Sequence, residues 1–475
     1  MSHRLVKYLQ LNAIFILLAI YAVAGIVTII LFDGTGDSGD SIMHYLFARY
    51  APAHPELYFD HWAKPVFVLI SSPFAQFGFI GMKLFNLSVS VMAFHITYLT
   101  AKSLNISNPL LSVVFLIFMP LYYILTFSGL TEPLFSLFLI GGVFLAVHRK
   151  YIAAPVIVSL MPFVRSEGLI IMIVFGFWLV VSKKWKYLPW LLTGHVIYAV
   201  AGNFLYHDLL WVFTKIPYSN LDPHYGSGPM LHFVYQLNYV IGIPLYFLTV
   251  IGIISYGWHW LRKNVVISVQ ETILVFLGFI LFLISHSLFW HFGIFNSMGL
   301  KRVLLGVAPL ISLIALRGFN FITIEALHRY KIIGRITGIM LVAVVVIFPF
   351  SGNPAAINWN KEMKLSSDQS VARAVAAYIN ENPVQPGKKL LYSHPYLSVA
   401  LNLDHFDSRR RLDLNLQNLE LLQPGDKVVW DNWFSVIENG AMLENLPGRD
   451  GLEREIDFSS KMEDSEVRFV VFRKK

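Results

Sequence analysis

The chain has 475 residues, 56% of them hydrophobic, 15% aromatic and only 14% charged. A soluble globular protein carries nearer a quarter charged residues, so the composition points to an integral membrane protein. The formal charge of +8 fits basic anchors in membrane loops rather than nucleic-acid binding, and the lack of cysteine excludes disulfides, thiol catalysis and cysteine-ligated metals.

The first apolar segment, Leu11 to Phe32, follows Arg4 and Lys7. It is too long for the apolar region of a signal peptide, and no small-residue cleavage site follows it. It is expected to be an uncleaved first span with a cytoplasmic N-terminus. A polar island follows, Asp33 to Pro65, with Asp33, Asp37, Asp40, His44, His54, His61 and Lys64. It opens the first outer loop, 33–80. Residues 65–78 are apolar but short and interrupted by Pro73, which suits an interfacial or re-entrant helix.

A bilayer needs about 20 apolar residues per helix. By that measure spans are expected near 11–32, 81–101, 108–124, 130–147, 151–165, 167–182, 187–206, 230–257, 271–290, 302–317 and 331–350, eleven in all. Cytoplasmic ends then hold Arg4, Lys7, Lys102, Arg149, Lys150, Lys183, Lys184, Lys186, Arg262, Lys263, Arg317, Arg329, Lys331 and Arg335. The outer ends hold Arg49, Lys64, Lys83, Arg165, Lys215, Lys301 and Arg302, half as many, as the positive-inside rule expects. Residues 351–475 turn polar, with a helix over 370–382 and strands over 388–393, 426–430 and 467–474. The expected organisation is therefore a transmembrane domain, 1–350, and a small extracytoplasmic α/β domain, 351–475.

Ionisable groups gather at the outer ends of the spans. Besides the first loop these are Glu132, Arg165 and Glu167, then His207, Asp208, Asp222 and His224, then His286, His291, Lys301 and Arg302. The opposite side shows basic anchors without a comparable mixture. Charged groups near spans are costly and mark working sites. Asp40 can cap a helix starting at Ser41 or serve as a general base, and Asp37 is the alternative base. Lys64 can snorkel to headgroups or meet a phosphate. Arg165 and Glu167 can pair across a turn, and Arg302 can anchor a span or bind a ligand. Trp62, Tyr218 and Trp290 suit an aromatic belt. No HExxH or tight His/Asp spacing is present, and His286 and His291 are five apart, so a divalent metal is not called for and no cofactor is expected.

The stretches GDSIMHYLFARY, HWAKPVFVLISSPFAQFG with MKLFN, LTEPLF, FVRSEG and LKRVLLGVAPLISLIALRG occur in this order. Their order resembles the GT-C membrane glycosyltransferases, in particular the lipid A aminoarabinose transferases and the protein O-mannosyltransferases. The C-terminal YSHPYL and QPGDKVVWD resemble the soluble tails of those enzymes. The resemblance implies a sugar donor on a polyprenyl phosphate and a hydroxyl acceptor on protein, lipid or glycan. It implies Asp40 as catalytic carboxylate, with Asp37 as the alternative, and Lys64 toward the lipid phosphate; His44, His61, Glu132, Arg165, Glu167, Lys301 and Arg302, from the outer-face groups, are the expected substrate-binding residues. Where the family has an Asp-Glu pair, this chain has Asp40-Ser41. A bacterial inner membrane is the expected location. The competing expectation is a lipid or solute transporter, although no internal repeat is visible.

Overall fold

The structure is a computed structural model of the chain. It describes residues 3–217, 221, 223, 225–262, 267–446, 451–461 and 466–475, with side chains from residue 12 onward. Tyr218, Asp222, His224 and Lys263, singled out above, lie outside the described residues, as do the side chains of Arg4 and Lys7.

Among the described residues, six helices are long and apolar enough to cross a membrane: Asn12–Leu31, Gly78–Ser103, Trp185–Tyr206, Glu271–Phe292, Lys301–Ala326 and Lys331–Phe350. Four shorter apolar helices accompany them, Pro65–Ala75, Glu132–Val147, Ala153–Phe163 and Gly168–Val181. Two expected spans are broken. The 108–124 stretch becomes Leu110–Ile117 and Pro120–Thr126, with Met119 extended between them. Pro120 removes an N–H and pushes the preceding residue out of helical geometry. The 230–257 stretch becomes His232–Ile241 and Ile243–Leu261, with Pro244 at the break. Among the described residues, then, full-length helices account for six of the eleven expected spans, and shorter pieces stand where the others were expected.

The helix over Lys301–Ala326 is the axis of the bundle, buried throughout from Leu304 to Asn320. Ile243–Leu261 packs closely along it. A Cβ on Gly318 would stand 2.0 Å from Leu248 O, and one on Gly252 would stand 2.1 Å from Ile314 O. Glycine is what lets two backbones approach this closely without a driving force from water. The periphery is apolar. Ile20, Val23 and Ile30 are exposed on the first helix, as are Ile332, Ile339 and Ile347 on the last long one. Such surfaces suit acyl chains and would aggregate in water. The chain is an integral membrane protein.

Beyond Phe350 lies a five-stranded sheet: β1 (Leu390–Tyr392), β2 (Arg411–Leu412), β3 (Lys427–Asp431), β4 (Leu452–Lys461) and β5 (Glu466–Lys474), in the order β2-β1-β3-β5-β4. β1 runs parallel to both neighbours, while β3, β5 and β4 are antiparallel. The helix Ser367–Glu381 packs Ala372, Val375, Ala376 and Ile379 against Tyr392, Val429, Phe469 and Val471. The alternate strand residues, Leu391, Val428, Trp430, Val470 and Phe472, face a second cluster with Leu414 and Leu446. The period of two along each strand thus fills both faces.

This C-terminal part sits directly on the polar island. Gly34 N donates to Met363 O (3.0 Å), Leu365 N to Asp33 Oδ1 (3.2 Å), and His54 Nε2 pairs with Asp404 Oδ2 (2.9 Å). Two segments in hydrogen-bond contact lie on the same side of a membrane, so the loop after the first span and the C-terminal sheet share a side.

Candidate functional site

The polar island is built to hold a turn against the bundle. Gly36 has φ +83, and a Cβ there would stand 2.5 Å from Ser128 Cβ. Only glycine meets both demands. Ser41 Oγ donates to Thr35 O (2.6 Å) and accepts from Gly129 N (2.7 Å), tying the loop to the segment before Glu132. The helix α1 (Asp40–Tyr50) starts here, with Gly39 at its cap position.

Asp37 Oδ1 accepts from Gly39 N (2.8 Å) and Ser41 N (3.1 Å), so Asp37, rather than Asp40, satisfies the free amides at the helix start. Its other oxygen, Oδ2, pairs with Arg302 Nη1, and Asp40 Oδ2 pairs with Arg302 Nη2. The planar guanidinium thus bridges two carboxylates. The Asp40 side chain is 44% exposed and that of Asp37 27%. Asp40 makes no other side-chain hydrogen bond among the described residues.

A second layer lies behind. Glu132 is the first residue of Glu132–Val147, where the helix dipole favours a carboxylate, and its side chain is fully buried. Arg165 Nη1 is 2.8 Å from Glu132 Oε1, and Arg302 Nε is 3.7 Å from the same oxygen. Arg165 also donates to Thr131 Oγ1 (3.0 Å) and Glu167 Oε1 (2.8 Å). Burial pushes the Glu167 carboxyl up, but the neighbouring Arg165 charge outweighs it and brings the group down to about 2. The pair expected across the 165–167 turn is present, and it is one part of a larger chain of charges.

Lys64 stands at the edge of this cluster. It is buried, and Nζ donates to Ser166 Oγ (3.1 Å) and His61 O (3.2 Å). Its backbone is at φ +69 directly before Pro65, an unfavourable conformation for a side-chain-bearing residue. Burial brings its ammonium down to about 8, against the opposing pull of Glu167. The helix Pro65–Ala75 follows, so Lys64 is fixed by a rigid element rather than snorkelling on a flexible stem.

His44, one turn after Asp40, stacks on Trp62 (ring centroids 5.1 Å apart) and is buried. Burial, then the charges of Lys64 and Arg165, push its imidazole down to about 3. It is neutral at pH 7, and its Nδ1 meets no partner among the described residues. His61 donates from Nε2 to Val212 O (3.0 Å), away from the acids. Lys301 lies over the Tyr239 ring (5.6 Å) and does not join Arg302 at the carboxylates. His207 and Asp208 form a local turn, with Asp208 accepting from Leu210 N and Thr214 Oγ1. Trp62 packs on His44, and Trp290 packs on His232, so both are engaged inside the protein.

The sequence did not bring out Thr131 and Ser166, which anchor Arg165 and Lys64; neighbouring residues in LTEPLF and FVRSEG were the only signal. The opposite end of the axial helix differs from what the sequence suggests. Arg317 is not only a basic anchor: its Nε and Nη2 each lie 2.7 Å from an oxygen of buried Glu271, and Tyr256 Oη donates to Glu271 (2.8 Å). His259 and Glu325 pair nearby (3.2 Å). Fifteen residues of helix separate this end from Arg302, about 22 Å. Among the described residues, no group of three or more histidine and carboxylate side chains is placed to hold a metal ion.

No protein-family model matches the chain, and no curated protein matches it in sequence. Solved structures do match. ArnT from Cupriavidus metallidurans in the apo state aligns over 97% of this chain and 98% of its own, with a TM-score of 0.62 and 11% identity. The Archaeoglobus fulgidus oligosaccharyltransferase, tethered to an acceptor peptide containing an NVT sequon, aligns over 90% of this chain and 70% of its own, with a TM-score of 0.60 and 11% identity. Both likenesses are of fold, and the resemblance to membrane glycosyltransferases drawn from the sequence holds at that level.

Proposed function

We propose that this protein is a membrane glycosyltransferase that moves a sugar from a polyprenyl phosphate to a hydroxyl acceptor. The observation that carries the proposal is the convergence of Asp37, Asp40, Glu132, Arg165, Arg302 and Lys64 on one polar site beside the C-terminal sheet. The chain is organised as a transmembrane domain, 1–350, and a domain from 351 to 475. The first loop and the second domain face the outside, with the N-terminus in the cytoplasm of a bacterial inner membrane. The excess of basic residues on the other loops supports that orientation.

In this reading Asp40 is the general base. Its carboxylate is the more exposed of the two, and it carries no backbone amides. Asp40 takes the proton of the acceptor hydroxyl, whose oxygen attacks the anomeric carbon. The bond from that carbon to the phosphate oxygen breaks, and its electron pair leaves on the polyprenyl phosphate. One direct displacement inverts the anomeric centre. Asp37 keeps the loop in register and shares Arg302 with Asp40.

Lys64 meets the leaving phosphate as a point charge, and cationic groups at developing negative charge supply much of the stabilisation in such sites. Arg165, held by Glu132, Glu167 and Thr131, sets the field around Lys64 through neighbouring Ser166. His44 presents a neutral imidazole and an apolar face with Trp62. Donor lipid enters from the bilayer along the exposed apolar helices, and the acceptor enters from water.

The test is incubation of purified protein with a panel of polyprenyl-phosphate sugars, followed by mass spectrometry of protein, lipid and glycan acceptors. Transfer by the natural chain, with a fall of about 10²–10⁴-fold for Asp40→Asn, is expected for loss of a general base. A well-folded Asp40→Asn protein with full transfer rate removes Asp40 from that role.

A further inference from the structure

Asp37 and Asp40 face Arg302 only if the turn from Gly34 to Ser41 keeps its shape. Much of what holds that turn comes from beyond residue 350. Gln369, on the first turn of Ser367–Glu381, is 1% exposed. Its Nε2 donates to Thr35 Oγ1 (2.7 Å) and approaches Asp37 O (3.4 Å), while Thr35 Oγ1 is itself 3.0 Å from Asp37 O. Gln369 therefore touches the backbone of the residue that binds Arg302. The neighbouring Ser366 hydroxyl lies 2.9 Å from that of Ser38. On the far side of the turn, the Phe434 ring packs near Gly39, where an added Cβ would stand 3.4 Å from its Cε1. Phe434 is fixed in turn by Asp431, which accepts from Trp433 N (3.0 Å) and Phe434 N (2.6 Å), and by stacking edge-on with His394 (4.8 Å). His394 pairs with Asp368 (3.1 Å).

These contacts are aimed at one short turn, and each is made by a residue buried or held by its neighbours. A part that served only to cover the bundle would meet the loop through apolar packing and would not place an amide on Asp37. We propose that the C-terminal α/β part is a working component of the active site, and that Gln369 is a positioning residue that holds the acidic turn against Arg302. The inference rests on the glycosyltransferase reading for its consequence on rate, but its structural core is the dependence of the Gly34–Ser41 turn on Gln369. Positioning of this kind matters because a misplacement of about 1 Å can cost on the order of 100-fold in rate.

Hydrogen–deuterium exchange on the full chain in detergent tests the dependence without any substrate. Gln369→Leu is expected to speed exchange at the Gly39 and Ser41 amides at least about tenfold, because these amides are held by Asp37 Oδ1. Exchange in the axial helix is expected to stay as in the natural chain, and the melting temperature to fall only by what the lost Gln369–Thr35 hydrogen bonds contribute. Thr35→Val is expected to reproduce the effect, and the double variant to add nothing further. Unchanged exchange at Gly39 and Ser41 overturns the proposal, as does a loss confined to global stability. Should Gln369→Leu fail to fold, the cysteine-free chain offers a second route. Ser38→Cys with Ser366→Cys introduces two thiols that can be oxidised to a cross-link. Transfer from polyprenyl-phosphate mannose or polyprenyl-phosphate aminoarabinose to a hydroxyl acceptor, read as release of polyprenyl phosphate, should be equal in oxidised and reduced forms if the contact belongs to the working state. A reversible loss on oxidation overturns the proposal. Asp40→Asn serves as the control: its exchange at the turn should match the natural chain. If Asp40→Asn keeps full turnover, the assignment of the base fails and the positioning role of Gln369 stands.

Discussion

Replacing Asp37 with alanine should cost about 2 kcal/mol more stability than replacing Asp40, although both pair with Arg302. Asp37 Oδ1 is the acceptor for two backbone amides at a helix start, and each such bond contributes about 1 kcal/mol net. For Asp40 the arginine contact adds little, because its side chain is 44% exposed and exposed pairs contribute about 0–1 kcal/mol; the less exposed Asp37 loses no less from the same contact. Asp37→Ala thus loses about 2–3 kcal/mol and Asp40→Ala less than about 1. Asp37→Asn keeps the acceptor oxygen and should sit between them. The assay is thermal unfolding of the purified variants in one detergent, read beside sugar transfer. Asp37→Ala should melt several degrees lower, while Asp40→Asn should melt like the natural chain and transfer far more slowly. Equal melting of the two alanine variants would refute the division of labour between a structural Asp37 and a reactive Asp40.

Four further outcomes can be measured. Transfer should fall as pH rises through about 8, because Lys64 loses its proton there and the cation for the phosphate is gone; Lys64→Arg should remove this limb from the pH–rate profile. For stability the sign is opposite: burial of the Lys64 cation destabilises the fold below pH 8, and that cost fades toward 10.5, which unfolding of Lys64→Met over the same range would register. His44 titrates near 3 when folded and near 6.5 when unfolded, so the unfolded chain binds more protons between those values and stability falls with pH below 6.5, by about 2 kcal/mol at pH 5; His44→Phe should lose that acid sensitivity in melting curves. Arg317→Ala should cost about 3–5 kcal/mol by stranding buried Glu271, while Glu271→Leu with Arg317→Met should recover most of it, measured as detergent unfolding.

The apolar character of the membrane part was legible because composition alone dictates it, and six of the eleven expected spans stand as full-length helices among the described residues. Helix breaks at Met119 and Gly242 were not, since a hydropathy count sums over a proline that the backbone cannot ignore. The strands β1, β3 and β5 read as buried apolar runs. β4 did not: LEREIDFSSK alternates polar residues along an exposed edge and carries no continuous apolar signal. The acidic loop, Glu132, Arg165 and Arg302 could each be named as ionisable groups near span ends, yet their pairing depends on tertiary contacts up to 265 residues apart. Asp40 was the expected helix cap, yet the free amides go to Asp37, because the turn at Gly36 brings the earlier residue back over them. Glu271 was passed over for a simpler reason. It sits at the start of an apolar stretch, where one acid reads as the end of a span, and its partner lies 46 residues on.

The central claim is that Asp40, Arg302 and Lys64 form one transfer site for a lipid-linked sugar. The most direct measurement is the release of polyprenyl phosphate from a polyprenyl-phosphate sugar by purified protein in the presence of a hydroxyl acceptor, with the anomeric configuration of the glycosylated acceptor read by NMR. An inverted product, lost in Asp40→Asn while donor binding persists, is the predicted result. Movement of intact donor across the bilayer with no release of polyprenyl phosphate would contradict it.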